Sequence, residues 1–216
     1  MALELIEPLY RLKVRRISVR RVALALVDTS GSMFEHVFGI SARQLRPETA
    51  AEYAERALDM ALSAALQILL RLLESGAELA GYIGFFSAKD RDFIYGGPFS
   101  GALLGGQQRG DYYSLEGLDE GTVAHALEKK ALKISATTGG TDPNPLLKFL
   151  AELALKEHGR IDGIYVVTDG YVLDDTVAIP VDAPAVLVIM PHGTVPRVVH
   201  PNPSRVRVIR LGLAAG

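Results

Sequence analysis

Oxygen-bearing side chains stand at alternate positions directly after the first strongly apolar run of the chain. The run "VALALV" is followed by Asp28, and the hydroxyls of Ser30 and Ser32 come next in the stretch "DTSGS". Alternate spacing lets both hydroxyls point to one side of a short turn, and Gly31 between them permits a tight bend. One carboxylate and two hydroxyls are hard oxygen donors, which suit Mg²⁺ or Mn²⁺ rather than zinc. The alternative is that these groups make only turn and helix-cap hydrogen bonds.

Two later segments carry further oxygen donors. Thr141 stands in "TTGGTD", where two glycines allow the backbone to fold closely, and Asp169 follows an apolar run in "VVTDG". Asp142 is placed either to bind a metal or to cap the helix that follows it, and capping is the favoured interpretation. His125 and Glu128 share a helix face, but with no third ligand in sight they are predicted to be an exposed pair rather than a zinc site.

Alternating strands and helices must position these groups. Apolar and β-branched runs predict strands at residues 22–27, 78–86, 163–170, 185–190 and 205–211. Helical spacing and capping residues predict helices over 46–76, 122–133, where Thr122 is the expected cap, and 145–159. Residues 91–95 are predicted to return beside the second strand as a short antiparallel hairpin partner. The glycine-rich segment 96–121 is predicted to be a long loop.

This alternation predicts an open, mostly parallel sheet wrapped by helices. Ligands of such sheets collect beyond the carboxyl ends of the strands. Asp28 and Asp169 each follow a strand at that edge, and the direction of the intervening elements brings Thr141 and the turn at 87–90 to the same edge. Segments that are far apart in the sequence are therefore predicted to converge on one metal site.

The composition restricts the class of protein. The 216-residue chain has a formal net charge of −2 and no cysteine, which excludes disulfides, thiol catalysis and cysteine metal sites. A charge near zero gives no general attraction to nucleic acid or to a membrane surface. The first residues, "MALELIEPLY", lack the pattern of an export signal, and the apolar run "ALSAALQILL" is too short to span a bilayer. A soluble cytoplasmic protein without a membrane partner is therefore expected.

The stretches "DTSGS", "GGTD" and "VVTDG" resemble the three parts of the metal-ion-dependent adhesion site (MIDAS) of von Willebrand factor A (vWA) domains. The order of the motifs and the predicted topology match this family over roughly residues 19–211. The resemblance implies a Rossmann-like α/β fold of three layers, α/β/α, whose mostly parallel central sheet has one antiparallel edge strand. Residues 19–216 are then the vWA-like domain, and residues 1–18 are an N-terminal arm or an extra strand.

The resemblance also implies different roles for the hydroxyls and the carboxylates around Mg²⁺ or Mn²⁺. The hydroxyls of Ser30, Ser32 and Thr141 are expected to bind the metal directly, whereas Asp28 and Asp169 act mainly through waters or hydrogen bonds. Neutral hydroxyls leave the charge of the cation poorly neutralised at its open position. An Asp or Glu side chain of a partner protein is therefore expected to complete the coordination, and no catalytic residue is predicted.

A rim of residues around the metal is expected to contact this partner. Met33, Phe34 and Phe38 are expected to be exposed apolar anchors. The polar members of the rim are expected to be Asp90, Asp142, Asn144 and Tyr171. The motifs are most similar to those of the intracellular prokaryotic branch of the family, whose domains often accompany ring-forming AAA+ ATPases of the MoxR type. Such an ATPase is the partner that the resemblance implies.

Two other functions stay open on the sequence. A Mg²⁺-dependent hydrolase of the phosphatase kind needs a nucleophile and an acid or base beside the metal, but Ser30 stands where the Asp-x-Asp pattern has its general acid. A Ro-like RNA-binding adaptor would use the basic residues before the first strand. The near-neutral charge and the few clustered aromatic residues argue against it.

Overall fold

The computed structural model describes residues 19–41, 44–86, 94–95, 110–129, 132–133 and 141–212. The predicted arm at 1–18 and the predicted turn at 87–90, which includes Asp90, lie outside these ranges. The strands are β1 Val19–Asp28, β2 Ala77–Phe86, β3 Ile94–Tyr95, β4 Gly110–Ser114, β5 Leu132–Lys133, β6 Gly163–Thr168, β7 Thr176–Ala178, β8 Ala185–Ile189, β9 Arg197–Val199 and β10 Val206–Arg210. The helices are α1 Met33–Phe38, α2 Pro47–Glu74, α3 Glu120–Lys129 and α4 Asn144–His158.

Six strands form the central sheet in the order β10-β8-β6-β1-β2-β4. All neighbours in this sheet are parallel except β4, which pairs antiparallel with β2 at one edge. The central strand β1 lies between β2 and β6 and is buried from Val22 onward, which explains its continuous apolar sequence. The predicted Rossmann-like α/β class, with a mostly parallel sheet and one antiparallel edge strand, is confirmed.

Helices cover both faces of this sheet. Along β1, Ala23, Ala25 and Val27 belong to the core beneath α1, α2 and α3. The intervening residues Leu24 and Leu26 belong to the core beneath α4. Because successive side chains of a strand point to opposite faces, one strand contributes to two separate apolar layers. The result is the expected three-layer α/β/α architecture.

The antiparallel edge strand is not the one that the sequence predicts. Ile94–Tyr95 pairs with Leu132–Lys133 in a separate two-stranded sheet, so the predicted pairing of 91–95 with β2 is wrong for the two residues described there. The partner of β2 is instead Gly110–Ser114, which lies within the segment predicted to be a loop. Burial of Tyr112 and Tyr113 stabilises this short strand.

The helix ends follow local backbone chemistry. The predicted start of α3 at Thr122 is wrong: the helix begins at Glu120, and the carboxylate of Asp119 accepts the backbone N–H of Thr122 at 2.7 Å. Asp119 is therefore the capping side chain, and hydrogen bonds from the side chain and then the backbone N–H of Thr122 lower its pKa. Gly159 ends α4 in the left-handed conformation, with φ of 73°. Within the described ranges, no helix is both long and apolar enough to cross a membrane.

Candidate metal centre

Asp28 is fully buried at the carboxyl end of β1 and is held by two hydrogen bonds. Its Oδ1 accepts the backbone N–H of Ser30 at 2.9 Å, and its Oδ2 accepts the hydroxyl of Thr168 at 2.7 Å. The second bond crosses from β1 to the neighbouring strand β6. The register places Val27 opposite Val167, so the next residue of each strand lies at the same edge of the sheet. This pairing fixes the orientation of the Asp28 carboxylate.

Asp169 follows β6 at the same edge and is also fully buried. Its Oδ1 accepts the backbone N–H of Tyr171 at 2.9 Å, and His36 Nδ1 lies 2.8 Å from its Oδ2. The next residue, Gly170, has φ of 82°, and a Cβ there would overlap the carbonyl oxygen of Thr194. Glycine is therefore required where the chain turns away from the carboxylate.

The two carboxylates lie close enough to influence one another. Burial and then the charge of Asp169 raise the pKa of Asp28 from 3.8 to about 7, against the opposing hydrogen bonds of Ser30 and Thr168. In the part of the chain that the structure describes, neither Asp28 nor Asp169 forms an ion pair with a lysine or an arginine, and His36 is the one basic side chain in contact with either. The site thus concentrates negative charge without a compensating strong cation.

Neutral oxygens stand beside these carboxylates. The hydroxyls of Ser30 and Ser32 lie 3.0 Å apart, so the alternate spacing brings them to one side of the turn as the sequence predicts. Ser30 is buried, whereas Ser32 is half-buried. Among the described residues, no three His, Cys, Asp or Glu side chains cluster as a metal-binding group. Any cation here would therefore depend on hydroxyl ligands together with two carboxylates.

Thr141 stands before α4 and lies beside the loop that follows Asp169. Its backbone forms a bridge with Val172, and its carbonyl oxygen accepts the N–H of Leu173 at 2.6 Å. These contacts attach Thr141 to the loop that follows Asp169. The side chain is 1% exposed, and its hydroxyl makes no hydrogen bond to any residue that the structure describes. Buried hydroxyls are usually hydrogen-bonded, and none of the described residues supplies a partner for this one.

Two of the expected apolar anchors are not on the surface. Met33 and Phe34 are 1% and 7% exposed and belong to the core between the sheet and α2, so the prediction that they are exposed is wrong. Phe38 is half-buried and packs edge-on against Tyr53 at 5.0 Å between ring centroids. The reason is that "MFEHVF" forms a short helix whose apolar side faces inward.

The other rim residues described by the structure occupy different positions. Asp142 accepts the backbone N–H of Asn144 at 3.0 Å at the start of α4, which agrees with the favoured capping interpretation. The side-chain amide of Asn144 bonds the backbone of Thr176 and Ala178. Tyr171 is 46% exposed and stacks on His36. Of these residues, Tyr171 therefore presents the largest free surface.

Sequence reasoning missed one participant, Thr168. It predicts that His36, directly past the first motif, and His192, after a strand end, lie at the edge of the metal face. Thr168 directly precedes Asp169 at a strand end beside β1, so the strand order, once known, indicates its contact with Asp28. His36 is placed by the packing of α1, and the sequence carries no signal for its bond to Asp169. His192 lies at the same edge, as expected, because its backbone N–H donates to the His36 carbonyl at 2.8 Å.

Replacement of Thr168 by valine is expected to lower the free energy of unfolding at pH 7.5 by about 2–4 kcal/mol. Valine keeps the shape but removes the donor to Asp28 and the acceptor of the Gly170 N–H, which lies 3.0 Å from the hydroxyl. Urea unfolding measures the change. Thr168→Ser is the matched control. Because it keeps the hydroxyl, it should keep most of the stability that the valine variant loses. Equal stability of the two variants would contradict this role.

The hydrogen bonds among the described residues do not activate a serine as a nucleophile. Ser30 bonds Ser32, and His36 bonds Asp169, but within the described residues no hydrogen bond joins either serine to His36. An activated serine needs a base within hydrogen-bond reach. Within the described residues, neither serine therefore has the base that would activate it as a nucleophile.

Comparisons with known proteins do not extend this description. The sequence matches no family model and no curated protein at a significant level, and the fold matches no solved structure. The chemistry of the site must therefore be inferred from its own residues.

Proposed function

We propose that this chain is a vWA-like domain that binds Mg²⁺, or Mn²⁺, at a MIDAS and captures an acidic side chain of a partner protein. Ser30, Ser32 and Thr141 supply direct hydroxyl ligands. Asp28 and Asp169 hold the ion through waters and hydrogen bonds. The cation supplies an electrophilic position that a partner carboxylate fills.

The observation that carries this proposal is the pair of fully buried carboxylates, Asp28 and Asp169, without a lysine or arginine partner among the described residues. Buried carboxylates are costly unless they are paired with a cation or coordinate a metal. His36 contacts only one of the two. A divalent cation bound between the loops would neutralise both charges at once.

The neutral donors favour a hard cation. The hydroxyls of Ser30, Ser32 and the buried Thr141 are oxygen donors, and the imidazole of His36 already bonds Asp169. Mg²⁺ prefers oxygen ligands at about 2.0–2.1 Å and keeps several waters. Three hydroxyls and two carboxylates, as the proposed ligand set, fit that preference better than they fit zinc.

The exposed side of the site supports a role in capturing a partner. Tyr171 and Leu173, in the loop after Asp169, are 46% and 53% exposed. Tyrosine is among the residue types that most often contribute strongly to protein interfaces. Tyr171 therefore stays a proposed member of the rim, and Leu173 is proposed as an apolar contact in place of the buried Met33 and Phe34. The proposed partner is an intracellular protein, of which a MoxR-type AAA+ ATPase is the candidate that the family resemblance favours.

The proposal is tested by retention of a partner on the immobilised chain. Proteins that bind in the presence of Mg²⁺ are expected to be released by EDTA and to rebind when Mg²⁺ is restored. They should not bind to Asp28→Asn, which keeps the size of the side chain but removes its charge. The matched control is Asp182→Ala, because Asp182 is an exposed carboxylate paired with Arg205 and lies before β8, at the opposite end of the sheet. Retention in EDTA and on Asp28→Asn would refute a metal bridge.

A further inference from the structure

His36 makes the one side-chain contact to Asp169 in the described part of the chain. Its Nδ1 lies 2.8 Å from Oδ2, while the carboxylate is fully buried and the imidazole is 21% exposed. The same ring stacks on Tyr171, with centroids 3.8 Å apart and planes inclined by 12°. One imidazole thus contacts both a buried carboxylate and an exposed aromatic side chain.

The position of this imidazole is fixed by the packing of α1. The buried side chains of Met33, Phe34 and Val37 anchor one side of the helix in the core. His36 lies on the other side, facing the loop after β6. Its backbone carbonyl accepts the N–H of His192 at 2.8 Å, and the His192 ring would contact a Cβ placed at Gly39. The segment that carries His36 is therefore held by the core and by the loop after β8.

We propose that His36 is a positioning residue that orients Asp169 for the cation and Tyr171 for the partner. This inference rests on the proposed metal-dependent function and adds a residue to it. The Tyr171 backbone N–H holds Oδ1 of Asp169 at 2.9 Å, and the His36 Nδ1–H holds Oδ2. Together the two donors fix both side-chain torsions of the carboxylate. Groups that orient metal-binding carboxylates in this way typically contribute about 10- to 100-fold to metal affinity.

The stacking contact extends this role to the surface. Tyr171 follows Asp169 by two residues, and its backbone and ring take part in the same arrangement. The backbone N–H bonds the carboxylate, and the ring lies flat on the imidazole. His36 thus restricts an exposed side chain of the proposed interface before a partner arrives. Restriction of a contact residue in advance reduces the entropy lost on binding.

Two substitutions test the hydrogen-bond donor of His36 and its stacked ring separately. His36→Asn places an amide N–H where Nδ1 lies but removes the stacked ring. His36→Phe keeps a ring against Tyr171 but removes the donor. His125→Asn is the matched control, because His125 is an exposed histidine on α3, outside the site. Each variant is compared with the wild type by calorimetric Mg²⁺ titration and by its apo unfolding midpoint.

His36→Phe is expected to weaken Mg²⁺ binding by about 10- to 100-fold, and His36→Asn to stay within about threefold of the wild type. Nitrogen-15 spectra of histidine-labelled wild type should show a protonated Nδ1 for His36. If His36→Phe does not fold, His36→Gln replaces it, since its longer side chain carries the amide past the Nδ1 position.

The outcomes distinguish this inference from the function on which it rests. Normal Mg²⁺ affinity of His36→Phe, with binding still lost on removal of Ser30 and Ser32 hydroxyls, would overturn the role of His36 alone. If His36→Asn and His36→Phe instead lose Mg²⁺ affinity equally, the role of His36 as a hydrogen-bond donor to Asp169 is overturned. A wild type that binds no Mg²⁺, with or without a carboxylate ligand, would overturn both proposals.

Discussion

Calorimetric Mg²⁺ binding is expected to disappear when Ser30 and Ser32 are both replaced by alanine. The two hydroxyls lie 3.0 Å apart on one side of the turn after β1, and they are the proposed direct ligands from that loop. Loss of a group that merely orients a ligand costs about 10- to 100-fold in metal affinity, so removal of two direct ligands should exceed 100-fold. The same effect is expected for Mn²⁺, which uses similar oxygen donors.

The fold should survive this double substitution. Ser32 is only half-buried, and the two hydroxyls bond chiefly to each other. Their joint removal therefore leaves no charged group without its hydrogen-bond donor. The matched control is Ser75→Ala with Ser204→Ala, since both serines are exposed and lie at the opposite end of the sheet. Unchanged Mg²⁺ affinity in the Ser30/Ser32 variant would show that these oxygens make only turn hydrogen bonds.

Acetate provides a further comparison in the same titration. A site that lacks the carboxylate of its partner should bind Mg²⁺ more tightly when acetate is present, because the small carboxylate can occupy the open position. The increase should be absent in the Ser30/Ser32 variant. Binding that is equally tight with and without acetate would indicate a site that the chain completes by itself.

The second large effect is the dependence of stability and metal binding on pH. Burial and the charge of Asp169 raise the pKa of Asp28 from 3.8 to about 7 in the metal-free fold. A raised carboxyl pKa means that the folded state binds the proton more tightly than the unfolded chain does. The stabilisation is therefore complete below pH 4 and is lost as the pH rises through 7. The full effect is on the order of 4 kcal/mol.

Metal binding should change in the opposite direction. The cation competes with the proton for Asp28, so Mg²⁺ affinity should rise about tenfold per pH unit below pH 7 and level off above it. Urea unfolding in EDTA between pH 5 and 8 measures the stability, and calorimetry over the same range measures the affinity. Protonation of Asp28 thus stabilises the metal-free fold at low pH, and a bound cation is expected to stabilise the folded chain at high pH.

Asp28→Asn is the control for both measurements. The amide has the size of the carboxyl group but no charge, so the variant should lose this part of the pH dependence and should not bind Mg²⁺. The difference between wild type and variant removes the contributions of other titrating groups. At pH 8 without metal the variant should be the more stable of the two. A wild type that gains stability over the variant as the pH rises in EDTA would contradict the expectation.

Much of the site can be predicted because it depends on strand ends. The apolar run before Asp28 identifies a strand buried on both faces, and a second run places Asp169 at the end of another. The geometry of parallel sheets then brings these ends together without knowledge of any side-chain contact. The structure brings these two strand ends together, since Val27 pairs with Val167 and the hydroxyl of Thr168 donates to Asp28.

The remainder depends on contacts that leave no periodic signal. The five-residue strand β4 has no clear alternation and stands in a glycine-rich segment, so its pairing with β2 is set by the sheet rather than by its own sequence. Six residues of α1 are too few to show which side of the helix faces inward. For that reason the burial of Met33 and Phe34 was not predictable, nor was the contact of His36 with Asp169.

The bond between Thr168 and Asp28 joins residues 140 positions apart. It forms only after the chain has folded back far enough for β6 to lie beside β1. Closing so long a loop is entropically costly and must precede the contacts that it permits, which places this pairing late on the folding pathway. A nascent or partly folded chain would then lack the centre altogether. A cation that binds only the completed structure slows its unfolding and has little influence on the rate at which it forms.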